Sequence, residues 1–253
     1  MIKFFRKIRQ KLLAENKLSK YLLYAVGEIV LVVIGILIAL SINNWNQTNS
    51  EKKIAENYIE SLIIELNSDL NYYKSHKLRN MSQITQINDI QNALNSIGVN
   101  NSKEDFILKL MDVMEPFPFS PKTATYTDLV TSGNMGLIQP ETIRQRIISH
   151  YNLVDQMTLH VNREIDYNWN HLHPFFNENG YFEWRNNPKI SVDSTIIKKR
   201  KHFPIFELEK SSLEFKAVEN NLYFRQLMLT TRSGNLDELM TSTQELIDVL
   251  NKK

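Results

Sequence analysis

His171 and His173, two residues apart, are the most metal-like pair in this chain of 253 residues. On a helix that spacing turns the two rings to different faces, so a metal site would need an extended turn and a third ligand. His160 and Glu164 do share a helical face, but no His-Glu-x-x-His or two-His-carboxylate spacing goes with them. Ordinary polar or capping histidines are the simpler reading, and no metal is expected. Ser132-Gly133-Asn134-Met135-Gly136 has the composition of an anion nest, yet it matches neither the P-loop nor the dinucleotide fingerprint. Gly133 as a helix C-cap explains it better. There is no Gly-x-Ser-x-Gly elbow, and the absence of cysteine leaves no thiol nucleophile. No catalytic residue and no cofactor is expected, so the chain is read as a non-enzyme.

Aromatic residues crowd together at Tyr167, Trp169, Phe175, Phe176, Tyr181, Phe182 and Trp184. They have two readings: a partner or ligand surface, or a packed plug beneath a loop. The basic run 198–201 (KKRK) has the chemistry to touch anionic polymer or lipid, although a solvated loop accounts for it as well.

Glu28 stands out by its surroundings. It is the one ionisable residue in the apolar run 21–42, YLLYAVGEIVLVVIGILIALSI. As a helix this run is about 33 Å long, enough to cross a hydrocarbon core of about 30 Å. A carboxylate there must be protonated, reach the surface or meet a partner. Gly35 lies seven residues beyond Glu28, and Ala39 four beyond Gly35, so the three share one stripe. Small residues let helices approach, and a polar group on the same face can bond across. The stripe predicts a contact with a second copy or with another membrane protein. The competing reading is a tolerated glutamate beside incidental small residues.

The flanks orient the span. Residues 1–20 carry seven basic residues and one acid, a charge of +6 in a chain whose net charge is +2. Such a segment stays on the cytoplasmic side, with the rest of the chain outside. Tyr21, Tyr24 and Trp45 fit the two interfacial belts. A cleaved signal peptide competes, with Ala39 and Ser41 as its small pair, but the apolar run and the basic segment are both long for one, which favours an uncleaved signal anchor. Ile2, Phe5, Ile8 and Leu12 share a helical face among the basic residues, which predicts an amphipathic segment lying on membrane lipid. Nucleic acid is not an expected partner.

Three strings carry a resemblance: MIKFFRKIRQKLL, KYLLYAVGEIVLVVIGILIALSINNWN and TYTDLVTSGNMGLIQPETIRQRIISHYN. In them the chain resembles an uncharacterised family of bacterial single-span inner-membrane proteins, a domain of unknown function. The resemblance implies a membrane-anchored helical protein of the bacterial envelope and transfers no catalytic residue. Ser41 stands where that family implies Gln or Glu.

Beyond the span the pattern is helical. Ile54, Tyr58, Leu62, Leu66, Leu70 and Tyr73, then Ile84, Ile87, Ile90, Leu94 and Ile97, recur every three or four residues, closed by Gly98. Thr48 and Glu51 have capping-box spacing, which makes 43–50 a juxtamembrane joint unless the membrane helix runs straight through. Ser102 and Asp105 open a short helix to Met114, and the prolines of PFPFSP then force an extended chain. Thr125 and Asp128 start a helix ended by Gly133. Pro140 begins another, with Ile143, Ile147, Tyr151, Val154, Val161, Ile165 and Leu172 buried, stopped at His173-Pro174. Residues 175–210 read as irregular, with a small strand or hairpin near ISVDSTII. Ser211 and Glu214 cap the last helix, whose stripe is Leu213, Ala217, Phe224, Met228, Leu239, Leu246 and Leu250, with a break open at 233–235.

The expected fold is all-α: one N-terminal transmembrane helix followed by an extracytoplasmic bundle with three long helices. The segments are 1–20 (basic, cytoplasmic), 21–42 (transmembrane), 43–50 (joint) and 51–253 (outer domain). The expected function is a membrane-anchored, non-enzymatic envelope protein that binds a partner. The alternative, from another class, is an accessory subunit of an ion-coupled complex using Glu28. That alternative requires a multi-span partner and loss of function in Glu28→Gln.

Overall fold

The computed structural model describes residues 18–95, 109–110, 112–174 and 209–252, and all regular structure among them is helical. Helix α1 spans Leu18–Asn95, α2 Ala124–Thr131 and α3 Glu141–Tyr167. A 3-10 turn at Asn134–Leu137 precedes α3, a π turn at Asn168–Leu172 extends it, and α4 spans Leu213–Leu250. The chain forms two compact units, Met1–Asn57 and Tyr58–Lys253. The basic segment, Gly98, Ser102, Asp105, the KKRK run and ISVDSTII lie outside the described residues.

In the first unit, α1 carries the apolar run with its side chains outward: Leu23, Ile29, Leu31 and Leu37 are all exposed. It is the one helix among the described residues long and apolar enough to cross a membrane; its most apolar stretch has mean hydropathy 2.7 and none of it is buried. Residues 43–50 are helical throughout, so no joint and no capping box form there. Between residues 36 and 97 there is neither Gly nor Pro to stop the helix, and Asn and Thr cost only tenths of a kcal/mol each in a helix. Gln47 Nε2 instead donates to Glu51 Oε1 at 2.9 Å, a within-helix pair.

In the second unit three helices share one repeat. The buried residues of α1 are Ile59, Leu62, Leu66, Asp69, Tyr73, His76, Asn80, Gln83, Ile87, Ile90 and Leu94, spaced alternately by three and four. The seam of α4 runs Phe215, Val218, Leu222, Arg225, Leu229, Arg232, Leu236, Leu239, Thr243, Leu246 and Leu250, with the same alternation, and Ile247 is buried beside it. In α3 the seam runs Ile143, Ile147, His150, Val154, Met157, Val161 and Glu164, reaching Asn168 in the π turn. A 3.5-residue repeat is the packing rhythm of coiled coils. An apolar cluster of Ile87, Ile90, Leu94, Leu110, Val113, Met114, Leu172, Phe215, Val218, Leu222 and Leu229 closes one end.

This register corrects two expected faces. Leu213 is 81% exposed and Phe224 also lies outward, so the first half of α4 turns Phe215, Val218, Leu222 and Leu229 inward instead. In α1 the buried positions are Ile59 and Asp69 rather than Tyr58 and Leu70. In both helices the true seam contains charged residues, which an apolar pattern passes over. Helix α4 runs unbroken through 233–235, where Ser233 Oγ donates back to Leu229 O at 2.8 Å.

Side-chain bonds set the helix directions. Lys210 reaches Asn95 O, Gln226 reaches Asn88, and Asn80 reaches Ser233, so α4 runs antiparallel to α1. His150 meets Ser242 and Glu164 meets Arg225, so α3 is antiparallel to α4 and parallel to α1. Parallel neighbours need a long return connection, and residues 96–140 supply it.

Local signals fix the ends. Ser212, not Ser211, caps α4, its Oγ accepting Phe215 N–H at 3.1 Å. Pro140 precedes α3, and its carbonyl accepts Ile143 N–H at 3.0 Å. Gly133 follows α2 at φ 75°, the left-handed geometry expected of it. A Cβ there meets no atom within 4 Å, so the cost of Gly133→Ala is conformational alone. The substitution is expected to lower unfolding stability by about 1 kcal/mol, and Gly133→Asn by less, measured by urea titration.

Candidate functional site

Residues 112–114 end a helical stretch and residues 115–123 have no regular secondary structure, so the last helical carbonyls and the backbone groups that follow need partners from elsewhere. Side chains of all three long helices provide them. Gln83 Nε2 donates to Asp112 O at 2.9 Å and Arg225 Nε to Val113 O at 2.9 Å. Asn168 Nδ2, in the π turn, donates to Met114 O at 2.6 Å, and Arg225 Nη2 to Glu115 O at 3.4 Å. Arg232 Nη2 donates to Phe117 O at 3.0 Å. Further on the polarity reverses. Tyr72 Oη accepts Ser120 N–H at 2.8 Å, Asp69 accepts Lys122 N–H at 3.0 Å, and Glu65 accepts Thr125 N–H at 3.2 Å. Glu65 thereby places a carboxylate at the N-terminus of α2, where the helix dipole favours one.

The α1 partners descend from Gln83 to Glu65 while the strap ascends from 112 to 125, so the strap runs antiparallel to α1. The nineteen α1 residues from Glu65 to Gln83 span about 27 Å, or about 2 Å per strap residue, more than a helix would cover. The prolines of PFPFSP suit this path, because each removes an N–H that would otherwise need an acceptor.

Beneath the strap lies a buried charge cluster. Glu164, 2% exposed, holds Arg225 Nη1 at 2.9 Å from Oε2, with Arg232 Nη1 3.6 Å from the same oxygen. His160 Nε2 sits 3.2 Å from Oε1, within charge contact though not aligned as a hydrogen bond. Arg225 also donates to Gln83 Oε1 at 3.3 Å. Burial pulls both guanidinium pKa values down, that of Arg232 to about 10, while Glu164 opposes the shift. Both remain cationic at neutral pH, two cations around one central carboxylate. Phe117 lies between Arg79 and Arg232, whose Cζ atoms are 4.0 and 4.4 Å from its ring centre, so cation–π attraction holds the strap as well.

His76 packs under the same strap, 5.0 Å from the ring of Phe117 and 4.2 Å from that of Tyr72. Burial, then Arg232 and Arg79, lowers its pKa to about 4, and the neutral ring's Nδ1 lies 3.5 Å from Arg232 Nη2. Burial pushes Asp69 up to about 6, partly offset by the Lys122 N–H it accepts, with Glu65 adding to the rise.

The residues singled out by sequence fall in different places. Glu28, Gly35 and Ala39 all lie on the apolar part of α1, and a Cβ at Gly35 meets no atom within 4 Å. Tyr167 is half-buried, its ring 4.7 Å from Phe224 and 4.8 Å from His171, a packing role. Trp169 is 61% exposed and stacks on His173 at 4.3 Å. Phe175, Phe176, Tyr181, Phe182 and Trp184 lie outside the described residues. His171 and His173 are engaged separately, His171 on Tyr167 and His173 with Glu115 at 3.3 Å. No group of three metal-capable side chains occurs among the described residues. Glu164, Arg225, Arg232 and His76 were missed as a cluster; their signal was a polar residue standing in the 3-4 register of an otherwise apolar seam.

A family model described as a family of unknown function (DUF6090) matches residues 28–182. The chain belongs to this family. The matched stretch begins at Glu28, takes in Gly35, Ala39, the strap and Glu164, and stops before α4 with its two buried arginines. No curated protein and no solved structure matches the chain.

Proposed function

We propose that this is a membrane-anchored, non-enzymatic binding protein of the bacterial envelope. Residues 21–42 cross the inner membrane, residues 1–20 stay in the cytoplasm on anionic lipid, and the helical bundle lies outside. The observation that carries the reading is the fully outward-facing apolar stretch of α1, alongside buried ionisable groups committed to lacing a strap. A carboxylate held by two guanidiniums that themselves donate to main-chain carbonyls is a scaffold element, which favours a binding role. A reporter fused after Lys253 should be active outside the cytoplasm, and full-length protein should remain in the membrane fraction after a carbonate wash. A cytosolic reporter signal, or a soluble chain lacking the first forty residues, overturns the proposal.

Within the membrane, Glu28, Gly35 and Ala39 form the contact face for a second copy or another membrane protein. Gly35→Leu and Ala39→Leu are expected to lower association at least about fivefold, roughly 1 kcal/mol of helix packing, in a membrane two-hybrid or energy-transfer assay. Glu28→Leu should weaken it further. Association unchanged in all three variants removes this face.

A further inference from the structure

Between α3 and α4 a groove of about 310 Å³ opens, lined by none of the strap residues 112–125. That volume sits at the small end of ligand pockets, which run from about 300 to 1,000 Å³. Its base is apolar, formed by the buried side chains of Met157 and Leu239, and Leu153 continues that surface. Its charges come from opposite walls: Arg163 from α3 and Glu238 from α4. Neither is in an ion pair with another of the described residues. His160 lines the groove too, and its Nε2 is turned toward Glu164.

Two unlike charges on facing helices, left apart over an apolar floor, make a complement for a small ligand carrying both signs. A guanidinium accepts a carboxylate through paired N–H donors, and a carboxylate accepts an ammonium as a point charge. We propose that the groove binds a free amino acid with an apolar side chain: its carboxylate on Arg163, its ammonium on Glu238 and its side chain on Met157 and Leu239. This names a ligand class for the binding role above and rests on that reading.

The test is isothermal titration of the full-length protein in detergent with three probes: L-leucine, 4-methylpentanoate, which lacks the ammonium, and 3-methylbutylamine, which lacks the carboxylate. Leucine should bind saturably, with each single-charge analogue weaker by at least about tenfold, the loss of one charge-assisted contact. Arg163→Gln should bring leucine down to the level of the amine and leave the amine unchanged. Glu238→Gln should bring it down to the level of the carboxylate. Both side chains are exposed, so the variants should fold. Equal affinity for all three probes, no leucine saturation by about 10 mM, or variants that bind leucine normally each overturn the proposal. An envelope-facing reporter on a chain that ignores leucine removes the groove alone and leaves the anchored protein standing.

Discussion

Replacing Glu164 with leucine should lower the unfolding free energy by about 3–5 kcal/mol, the range seen when one partner of a buried ion pair is removed. In a domain of this size that is about 10 °C in thermal midpoint, measurable by circular dichroism or scanning fluorimetry of the full chain in detergent. The loss is large because Arg225 and Arg232, 3% and 0% exposed, would keep their charges with no carboxylate between them. A second variant separates two accounts of the cluster. If the arginines existed only to neutralise Glu164, replacing all three with Leu, Met and Met would restore stability, because buried ion pairs exchange well for apolar packing. The strap makes a different demand. Its carbonyls at Val113, Glu115 and Phe117 take their donors from these arginines, and an unmet buried carbonyl costs about 1–3 kcal/mol. The triple variant should therefore stay well below wild type. Recovery to the wild-type midpoint would show that the arginines do not lace the strap.

Stability should also rise steeply between pH 4 and pH 6.5. Burial holds both His76 and His150 down to about 4. Between that value and the unfolded value near 6.5 the unfolded chain binds more protons, so each ring contributes stability that is full above 6.5 and lost as pH falls through 4. Each contribution is about 3 kcal/mol. Asp69 works the other way. Its folded value, about 6, lies above the unfolded one, so its contribution is full below about 4 and lost as pH rises through 6. It offsets about one histidine, leaving a net rise of about 3 kcal/mol across the window. Urea midpoints at pH 4.5 and 7 measure it. His150→Leu, which removes the ring facing Ser242 at 3.1 Å, should flatten the dependence, and Asp69→Asn should steepen it. A flat profile in the unmodified chain would mean that these rings are not held neutral.

Much of the architecture was legible because it depends on local signals. The apolar run needs only its length, Gly133 only its freedom to adopt φ 75°, and most of α3 only its spacing of Ile143, Ile147, Tyr151, Val154 and Val161. The first half of α4 was misread because two apolar stripes run beside each other there. The stripe through Leu213 and Phe224 is the more obvious, while the true one is interrupted by Arg225 and Arg232. Nothing local distinguishes a buried arginine from a solvated one; what decides is the main chain of residues 113–117, more than a hundred residues away. Thr125 shows the same limit, since its N–H is met by Glu65 from α1 rather than by a neighbour in sequence. The charge cluster could have been suspected only by following the 3-4 rhythm through its polar positions.

The lacing also imposes a timetable on biosynthesis. Val113 and Phe117 wait for donors 112 and 115 residues downstream. A nascent chain emerging from its N-terminal end therefore presents α1 and the proline-rich stretch before either guanidinium has left the ribosome. Until Arg232 emerges, those carbonyls can be satisfied only by water, and the ring of Phe117 lacks one of its two cationic neighbours. An arrested polypeptide ending short of α4 should accordingly be cut by protease within 112–123, whereas the released protein resists.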